Sequence, residues 1–495
     1  MQKTRYVLPL LVLVLAITAG SAKAVPRMPV GFFDDPSFRW SEDIPQNMLD
    51  AQRAHASIIH VLANWATIAP AKPKNALNGG DPAYHLSDLD AVVRVAQQYG
   101  MEVLLTIAQT PPWANGGKTP NYPPKNASDL QQFSQMLAAR YNGKTRGQGI
   151  VTRFSVWNEP NLQLFLAPQF DSSGKIVSPQ AYATLYMAAY KGIKAGNPNA
   201  LVAVGETSNR GRNHPTGVQS DSVAPATFAR MLSQINPNLP FDAWATHPYP
   251  TNYRLGPAQK VAYPNVQFST MNRFGADLEK WFHRRVPIWV TEYGEQTPPA
   301  SAIVGPVSNA QQSADVKKAL QLAQSNPYVE MFTWFIFRDS DAKTWFSGLV
   351  AANGKKKPSY SAFTNAAQGV VGFAFTVAAG QKITVKIPVP VMAYYNTVGT
   401  KIGMTYGLFN GKKKLAVAQP LLPLQTGGYL TIPINYKAAA GNTYTLGVTM
   451  NDPHGHVVRN VITVMTSSPA TTAKAKKKTT AKAKKKTTAK ARDKK

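Results

Sequence analysis

The segment TRFSVWNEP, residues Thr152 to Pro160, decides the fold of this chain. It joins a short apolar run to a polar end, which is typical of a buried strand whose last residues emerge at the edge of a sheet. Seven similar runs and several amphipathic helical stretches alternate with it between about Pro29 and Val370. The eight strand-like runs are Val30–Phe33, Ser57–Leu62, Met101–Ala108, Thr152–Trp157, Leu201–Gly205, Phe241–Thr246, Pro287–Thr291 and Glu330–Phe335. The helical stretches include Leu86–Gln98, Leu130–Tyr141, Ala181–Ala195, Ala224–Ile235, Gly275–Phe282 and Ala310–Gln324.

Eight strands that alternate with helices predict an α/β fold with a closed (β/α)8 TIM barrel over residues 25–370. An open, doubly wound sheet is the competing architecture. Such a sheet usually carries a glycine-rich turn after its first strand. Here the corresponding segment, Gly31 to Pro36, reads GFFDDP. The absence of that turn and the number of repeats favour the barrel.

The hydrophobic periodicity of the sequence changes after about Gly372. Short runs such as Lys382–Ile387 and Tyr444–Met450 alternate apolar and polar residues, and turn signals such as Asn410-Gly411 separate them. This pattern predicts a small, all-β, antiparallel sandwich over residues 371–468, which resembles immunoglobulin-like modules. Such a module can bind sugars or act as a spacer. Its few aromatic residues mostly alternate inward, which favours a spacer or a support for the barrel.

The charge of the chain is strongly positive and uneven. Lys and Arg number 54 against 25 Asp and Glu, which gives a net charge of +29. Residues 469–495 form a Lys/Ala/Thr-rich tail with an eight-residue repeat, and we expect it to be disordered. The tail has no aromatic residue, so it could neutralise anionic groups but could not stack on bases or read a nucleotide sequence. We therefore expect no specific nucleic acid as a partner. An anionic cell-wall polymer or acidic polysaccharide fits better, and a solvated tail without a partner is the alternative.

The N-terminus has the three parts of a secretory signal peptide. Lys3 and Arg5 precede an apolar run from Tyr6 to about Ala19, and small residues follow up to Ala24. We predict that residues 1–24 are removed and that the protein is extracellular or attached to the cell surface. An uncleaved N-terminal membrane anchor is the alternative.

Several kinds of site have no support in the sequence. The chain has no cysteine, and its eight histidines do not show the spacing of metal ligands. No serine-hydrolase elbow or phosphate-binding loop occurs. We expect a monomer that requires no metal and no cofactor.

Two glutamates follow strands on opposite sides of the predicted barrel. Glu159 ends the fourth strand and Glu292 ends the seventh. Residues just beyond the C-terminal ends of barrel strands face the mouth of the barrel, so closure brings these side chains together. Two carboxyl groups can divide acid and base roles when their surroundings separate their pKa values. The pair therefore predicts glycoside hydrolysis, in which one carboxyl protonates the leaving oxygen and the other attacks the anomeric carbon.

From Val30 to about Phe363 the chain resembles the retaining glycoside hydrolases of clan A, especially families 5 and 39. The motifs that carry this resemblance are Asn158-Glu159-Pro160, His247-Pro248-Tyr249, Glu292 and Trp334, in the correct strand order. The resemblance implies a carbohydrate substrate, with Glu159 as the acid/base and Glu292 as the nucleophile.

The resemblance also assigns the residues around this pair. It implies that Asn158 binds the 2-hydroxyl of the sugar, and that His247 and Tyr249 belong to the site, with the tyrosine steadying the nucleophile. It places Trp334 as a floor beneath the reacting sugar. The chain departs from the family at His60, because many members carry an arginine there that supports the nucleophile. A neutral imidazole supports a carboxylate less firmly than a guanidinium does.

Trp65 and Trp113 are candidate platforms for further sugar units, and simple packing is the alternative for both, as it is for Trp334. His247 has a structural alternative as well. Glu295 and Glu206 are two further acids that could replace a member of the predicted pair. The alternative function is a catalytically weak or inactive carbohydrate-binding barrel, tethered to an anionic surface by its basic tail. A third hypothesis treats binding of an anionic polymer by the tail as the main function.

Overall fold

A computed structural model of the chain describes residues 28–145, 148–217, 219–368, 374–389, 392, 396–426, 429–453 and 457–467. The predicted signal peptide and the predicted disordered tail lie outside these residues. The predicted domain boundary near residue 370 also falls on residues that are not described.

Residues Val30 to Phe335 contain the predicted closed barrel of eight parallel strands, and the TIM-barrel prediction is confirmed. The strands are β1 (Val30–Phe33), β2 (Ile58–Asn64), β3 (Glu102–Ala108), β4 (Arg153–Val156), β5 (Leu201–Ser208), β6 (Ala243–His247), β7 (Ile288–Val290) and β8 (Val329–Phe335).

Helices cover the outside of the barrel. They are α1 (Ile44–Arg53), α2 (Trp65–Ile68), α3 (Ser87–Gln98), α4 (Pro112–Asn115), α5 (Ala127–Arg140), α6 (Ser178–Gly196), α7 (Pro225–Ile235), α8 (Met271–Phe282), α9 (Asn309–Ser325) and α10 (Pro358–Gln368). Short helical turns occur at Pro36–Trp40, Tyr253–Leu255 and Ala302–Val304. Among the described residues, no helix is both long and apolar enough to span a bilayer.

The interior of the barrel has an apolar lower layer and a polar upper layer. The lower layer consists of Ile58, Leu104, Ala203, Ala243, Ala245, Trp289 and Met331. Side chains alternate along a strand, so the next inward position lies two residues further on. At these positions β2, β3 and β6 carry His60, Thr106 and His247, all of which are buried. A layer of polar side chains therefore lies directly beneath the mouth of the barrel.

A β-bulge in β5 adds an acid to this polar layer. Val204 pairs with Trp244, but the next pair joins Thr207 to Thr246, so β5 uses one more residue than β6 between these pairs. Gly205 has φ +102°, and a Cβ there would lie 2.5 Å from the Trp244 ring, so glycine is required. The extra residue turns Glu206 toward the interior, whereas an unbroken strand would point it toward the helices.

The first and last strands of the barrel, β1 and β8, are joined by strand pairing, and one carboxylate beyond β1 holds the loop that follows β8. Val30 of β1 pairs with Phe332 of β8. Just beyond β1, Asp34 Oδ2 accepts hydrogen bonds from the backbone N–H groups of Phe337 and Arg338, both at 3.0 Å. The loop that follows β8 is therefore held by a residue from the beginning of the barrel.

The C-terminal part folds into β-sheets with their own core, as predicted. Its strands are β9 (Ala374–Ala378), β10 (Lys382–Pro388), β11 (Lys401–Asn410), β12 (Lys413–Ala418), β13 (Leu421–Pro423), β14 (Tyr429–Lys437), β15 (Thr443–Asn451) and β16 (Val457–Ser467). The larger sheet has the order β12-β11-β15-β16-β9, with β13 on β11, and β10 pairs with β14. The alternating residues of β10 and β15 are buried in this core.

One pairing differs from the fully antiparallel prediction, because β9 lies parallel to β16. These are the first and last strands of the unit, so no tight turn joins them. A parallel arrangement is possible because the long intervening chain makes the connection.

Candidate active site

Glu159 and Glu292 meet at the mouth of the barrel. Glu159 follows β4 by three residues and Glu292 follows β7 by two. Their carboxylates approach the same nitrogen, His247 Nδ1, which is 3.0 Å from Glu159 Oε1 and 3.7 Å from Glu292 Oε2. The two oxygens are thus separated by at most the sum of these distances, about 7 Å. Both glutamates line one cavity of about 790 Å³.

His247 lies among three carboxylates, since its Nε2 is 2.8 Å from Glu206 Oε2. The ring is fully buried. A neutral imidazole has one donor and one acceptor, so only the doubly protonated ring can donate toward carboxylates on both sides. Burial lowers the pKa of His247, but Glu292, Glu159 and Glu206 together outweigh burial and raise this pKa well above its usual value. The carboxylates on both sides of the ring therefore favour the imidazolium form of His247.

Glu292 titrates near neutral pH. Burial raises the pKa of its carboxyl group to about 7, and the negative charge of Glu159 adds to the rise. The His247 cation opposes this rise, as does the Tyr249 hydroxyl, which donates a hydrogen bond to Glu292 Oε2 at 3.1 Å. The site thus contains a carboxyl group that is poised between its protonated and ionised forms.

Glu206 connects the histidine to the strand that carries Glu292. Its Oε2 accepts a hydrogen bond from Thr291 Oγ1 at 2.6 Å as well as the bond from His247. Burial raises the pKa of Glu206, but the bond and the charge of His247 outweigh burial, so the pKa is lowered overall. An ionised carboxylate is thereby buried beneath the cavity.

His60 acts inside the polar layer rather than on a carboxylate or a ligand. Its Nδ1 lies 2.9 Å from the carbonyl oxygen of Thr291, and its Nε2 lies 2.6 Å from Thr106 Oγ1. Burial lowers the pKa of His60 to about 4, so the ring is neutral and donates to Thr291. His60 is 1% exposed, and its assignment to substrate binding is wrong. It fixes the backbone next to Glu292 instead of contacting the carboxylate.

Three tryptophans predicted to contact sugar do not line the cavity. Trp334 is fully buried, and its indole N–H donates to the carbonyl oxygen of Ser347 at 2.8 Å. Met331 points into the barrel, and side chains alternate along a strand, so Phe335 also points inward and Trp334 points outward. The prediction that Trp334 forms the floor beneath the sugar is therefore wrong by one residue. Phe335, the next residue, lines the cavity together with Trp345, and their ring centroids are 5.2 Å apart.

Trp65 is a packing residue, which corrects its assignment as a stacking platform, whereas the partly exposed Trp113 remains a candidate platform. Trp65 is 1% exposed and stacks on Phe133, with 5.5 Å between the ring centroids. Trp113 packs edge-on against Trp65 and donates its indole N–H to the carbonyl oxygen of Ala69 at 2.8 Å. The Trp65 ring is thus enclosed in the core, whereas one part of the Trp113 ring is exposed.

The structure places Asn158 and Tyr249 in the cavity wall, where sequence reasoning expected them. It excludes Glu295 from the pair, since Glu295 is fully buried and accepts a hydrogen bond from Tyr293 at 2.5 Å. Burial, followed by the neighbouring Asp315, raises the pKa of Glu295 to about 9. Sequence reasoning missed the wall formed by residues 208–212 and 219–222. The polar run after β5 was the available signal.

A family model described as "Cellulase (glycosyl hydrolase family 5)" matches residues 26–339 of the chain. No curated protein matches the chain by sequence. Among solved structures, a family 39 glycoside hydrolase from the gut symbiont Bacteroides cellulosilyticus WH2 has a TM-score of 0.52 and 17% identity, and the match covers 82% of this chain and 79% of that one. At this identity the likeness concerns the fold.

Two further structures are more distant. An exo-β-1,4-mannosidase from Opitutaceae bacterium strain TAV5 has a TM-score of 0.46 and 14% identity, with 73% of this chain and 64% of that chain covered. A hyperthermophilic β-glucosidase from Pyrococcus furiosus has a TM-score of 0.45 and 13% identity, with 66% and 84% covered.

Proposed function

The chain belongs to glycosyl hydrolase family 5 and is a glycosidase, and from this premise we propose that it hydrolyses O-glycosidic bonds of a polysaccharide or oligosaccharide with retention of configuration. The observation that carries the proposal is the approach of Glu159 and Glu292 to one nitrogen, which limits their separation to about 7 Å. Retaining pairs are about 5–5.5 Å apart, whereas inverting pairs are about 6.5–9.5 Å apart to admit a water molecule. The upper limit excludes most of the inverting range and includes the whole retaining range, so it favours retention.

Glu159 acts as the acid/base and Glu292 as the nucleophile. An oxygen of Glu292 forms a bond to the anomeric carbon while Glu159 gives its proton to the departing glycosidic oxygen. Glu159 then removes a proton from water, whose oxygen attacks the anomeric carbon and releases Glu292. The second step restores both carboxyl groups. Asn158 binds the 2-hydroxyl of the sugar, where a hydrogen bond strengthens in the transition state.

Glu292 must be ionised in order to attack. The Tyr249 hydroxyl and the His247 imidazolium both stabilise its negative charge against burial, and the proton on Glu159 removes the opposing charge of that carboxylate in the reacting state. Because the pKa of Glu292 is about 7 in the empty site, its ionisation sets the acidic limb of the pH profile, and the need for a proton on Glu159 sets the alkaline limb.

Replacement of each glutamate by glutamine tests the roles. We expect E292Q to lose hydrolysis of all glycosides, because an amide cannot replace the carboxylate that forms the covalent intermediate. E159Q should lose hydrolysis of natural glycosides. With aryl glycosides it should still form the covalent glycosyl-enzyme, because an activated phenolate leaves without being protonated. Anomer-resolved NMR of the first product, on a panel of glycans, should show retention. E42Q, at an exposed position outside the cavity, is the matched control.

Full activity in both variants, or an inverted first product, would refute the proposal. Tight sugar binding by the parent protein without any product would instead identify a carbohydrate-binding barrel.

Secretion and tethering belong to the same proposal. The basic start, apolar run and small residues of segment 1–24 support export with cleavage after Ala24. The Lys-rich tail supports retention on an anionic cell-wall polymer or acidic polysaccharide. N-terminal sequencing of protein from the culture medium should begin at Val25, and an intact Met1 there would contradict cleavage.

A further inference from the structure

The loop after β5 brings two positive charges into the cavity that contains the carboxylate pair. Arg210 and Arg212 line this cavity, and both are exposed. Within the described part of the chain, neither guanidinium belongs to an ion pair with a carboxylate at 4.0 Å or less. A third acid of the cavity wall, Asp221, instead accepts hydrogen bonds from the backbone N–H and hydroxyl groups of Thr216, at 2.5 and 2.6 Å.

The backbone holds these arginines in place. The amide of Asn161 donates to the carbonyl oxygen of Arg210 at 3.4 Å, and the N–H of Arg212 donates to the carbonyl oxygen of Ser222 at 3.2 Å. Between them, the N–H of Gly211 donates to Asn265 Oδ1 at 3.1 Å. A Cβ on Gly211 would lie 2.1 Å from the backbone of Val223, so the loop is closely packed there. The two guanidinium groups therefore extend from a fixed base.

We propose that the enzyme acts on a glycan that contains uronic acid, and that Arg210 and Arg212 bind a sugar carboxylate beside the cleaved bond. This inference rests on the proposed glycosidase function. Arginine forms paired, charge-assisted hydrogen bonds with carboxylates, whereas a neutral sugar offers it no counterion. The body of the protein should also attract anionic polymers, because residues 25–470 keep a charge of +15 when the tail of 25 residues, at +11, and the signal segment, at +3, are subtracted from +29.

Binding measurements test this substrate class without requiring turnover. The probes are oligosaccharide fragments of glucuronoxylan, hyaluronan and alginate, and the same fragments after chemical reduction of their carboxyl groups to alcohols. We expect the enzyme to bind at least one uronate fragment roughly tenfold or more tightly than its reduced form. The R210A/R212A variant should lose this preference and its salt dependence. The exposed Arg230 of α7 lies outside the cavity wall, so R230A is the matched control.

Equal binding of uronate fragments and their reduced forms would overturn the inference, as would an unchanged preference in R210A/R212A. Binding of neutral glycans alone would also overturn it. These outcomes are distinct from a failure of the proposed function, because the glutamate variants test hydrolysis and these measurements test affinity.

A second, independent observation concerns Glu206. It is fully buried, and it accepts hydrogen bonds from both His247 and Thr291. The groups that face His247 are Glu206 from β5, Glu159 beyond β4 and Glu292 beyond β7, with His60 of β2 nearby. His60 is neutral and is bonded elsewhere, so of the two histidines in the polar layer it is His247 that carries positive charge beside the carboxylate pair.

We infer that Glu206 is a positioning residue that keeps His247 doubly protonated, with the Nδ1 proton directed between Glu159 and Glu292. In this chain His247 of β6, held in its protonated form by Glu206 of β5, supplies the positive charge that an arginine on β2 would otherwise provide. The bulge at Gly205 is necessary for this arrangement, because it turns Glu206 inward.

The protonation state of His247 can be measured directly. In the parent enzyme, 15N NMR should show both ring nitrogens of His247 protonated from pH 5 to 8. In E206Q we expect the ring to titrate within that range. The kcat of E206Q at pH 7 should fall about tenfold or more with little change in KM, and E206D should recover part of it.

A neutral His247 in the parent enzyme at pH 7 would refute this role for Glu206, even if E206Q failed to fold. A folded E206Q with an unchanged pH profile would refute it too.

Discussion

Tyr249 shows how one hydroxyl group can adjust the catalytic range of the enzyme. Its O–H donates to Glu292 Oε2 and thereby lowers the pKa of that carboxyl group against the effect of burial. We predict that Y249F raises this pKa. Because Glu292 must be ionised, kcat/KM falls as the pH drops through its pKa, and Y249F should move this acidic limb upward by about one pH unit.

A pH profile of kcat/KM from pH 5 to 9 measures the shift. Y190F, which removes a half-buried hydroxyl on α6 outside the cavity wall, is the control. An acidic limb that stays in place or moves downward would show that Tyr249 does not stabilise the ionised nucleophile.

Glu292 should also reduce the stability of the fold at high pH. Its pKa is raised from 4.5 to about 7, so ionising it costs more in the folded than in the unfolded chain. This cost is absent at pH 4 and complete above pH 7, where it is on the order of 3 kcal/mol. We predict that E292Q raises the free energy of unfolding at pH 8 by roughly 1–3 kcal/mol and changes it little at pH 4.

Urea denaturation of the parent, E292Q and E42Q at the two pH values tests this expectation. An equal gain at pH 4 and pH 8 would assign the effect to packing rather than to ionisation.

At the scale of single residues, the sequence predicted the residues whose position depends only on following a strand. Glu159, Glu292, Asn158 and Tyr249 all lie at the cavity for this reason. The role of His60 could not be predicted, because its partners come from β3 and from the loop after β7. Only closure of the barrel brings them together.

At the scale of elements, the alternation of side chains along β8 separates packing from ligand contact. Trp334 faces the helices and Phe335 faces the cavity. We predict that W334F lowers the free energy of unfolding by roughly 1–3 kcal/mol, through lost volume and a lost hydrogen bond, and leaves KM unchanged. F335A should instead lower kcat/KM by about tenfold, with a smaller effect on stability.

Denaturation and steady-state kinetics on both variants distinguish these outcomes. A large change of KM in W334F, or wild-type kinetics in F335A, would reverse the assignment.

The sequence indicated which segments form strands, but a shift of one residue in a strand exchanges its two faces. The tryptophan error on β8 has this origin. The bulge in β5 was equally hidden, because Gly205 alone does not reveal that Trp244 fills the space beside it. Strand existence was therefore predictable from hydrophobic runs, whereas side-chain direction required the register with the neighbouring strand.

At the scale of the whole molecule, the concentration of positive charge in the tail should control how strongly the enzyme is retained on anionic surfaces. We predict that deletion of residues 470–495 weakens retention on an immobilised anionic polysaccharide and reduces its sensitivity to salt. Hydrolysis of a small soluble substrate should not change. A variant with the 12 basic tail residues replaced by glutamine keeps the length and should behave like the deletion.

Elution from the polysaccharide between 0.05 and 0.5 M salt provides the measurement. Retention of the deleted protein equal to that of the full chain at low salt would exclude a tethering role for the tail.

The carboxylate of Asp34 joins residues more than 300 positions apart in the chain. A polypeptide that stops before β8 would have two open strand edges and would lack the loop that Asp34 holds. Its unpaired edges would invite association with other chains. Such long-range closure also makes folding slow, because the chain loses conformational entropy in bringing the two ends of the barrel together before the contact between them can stabilise it. Incomplete chains should therefore be both inactive and prone to aggregation, and the cavity should be among the last parts of the molecule to form.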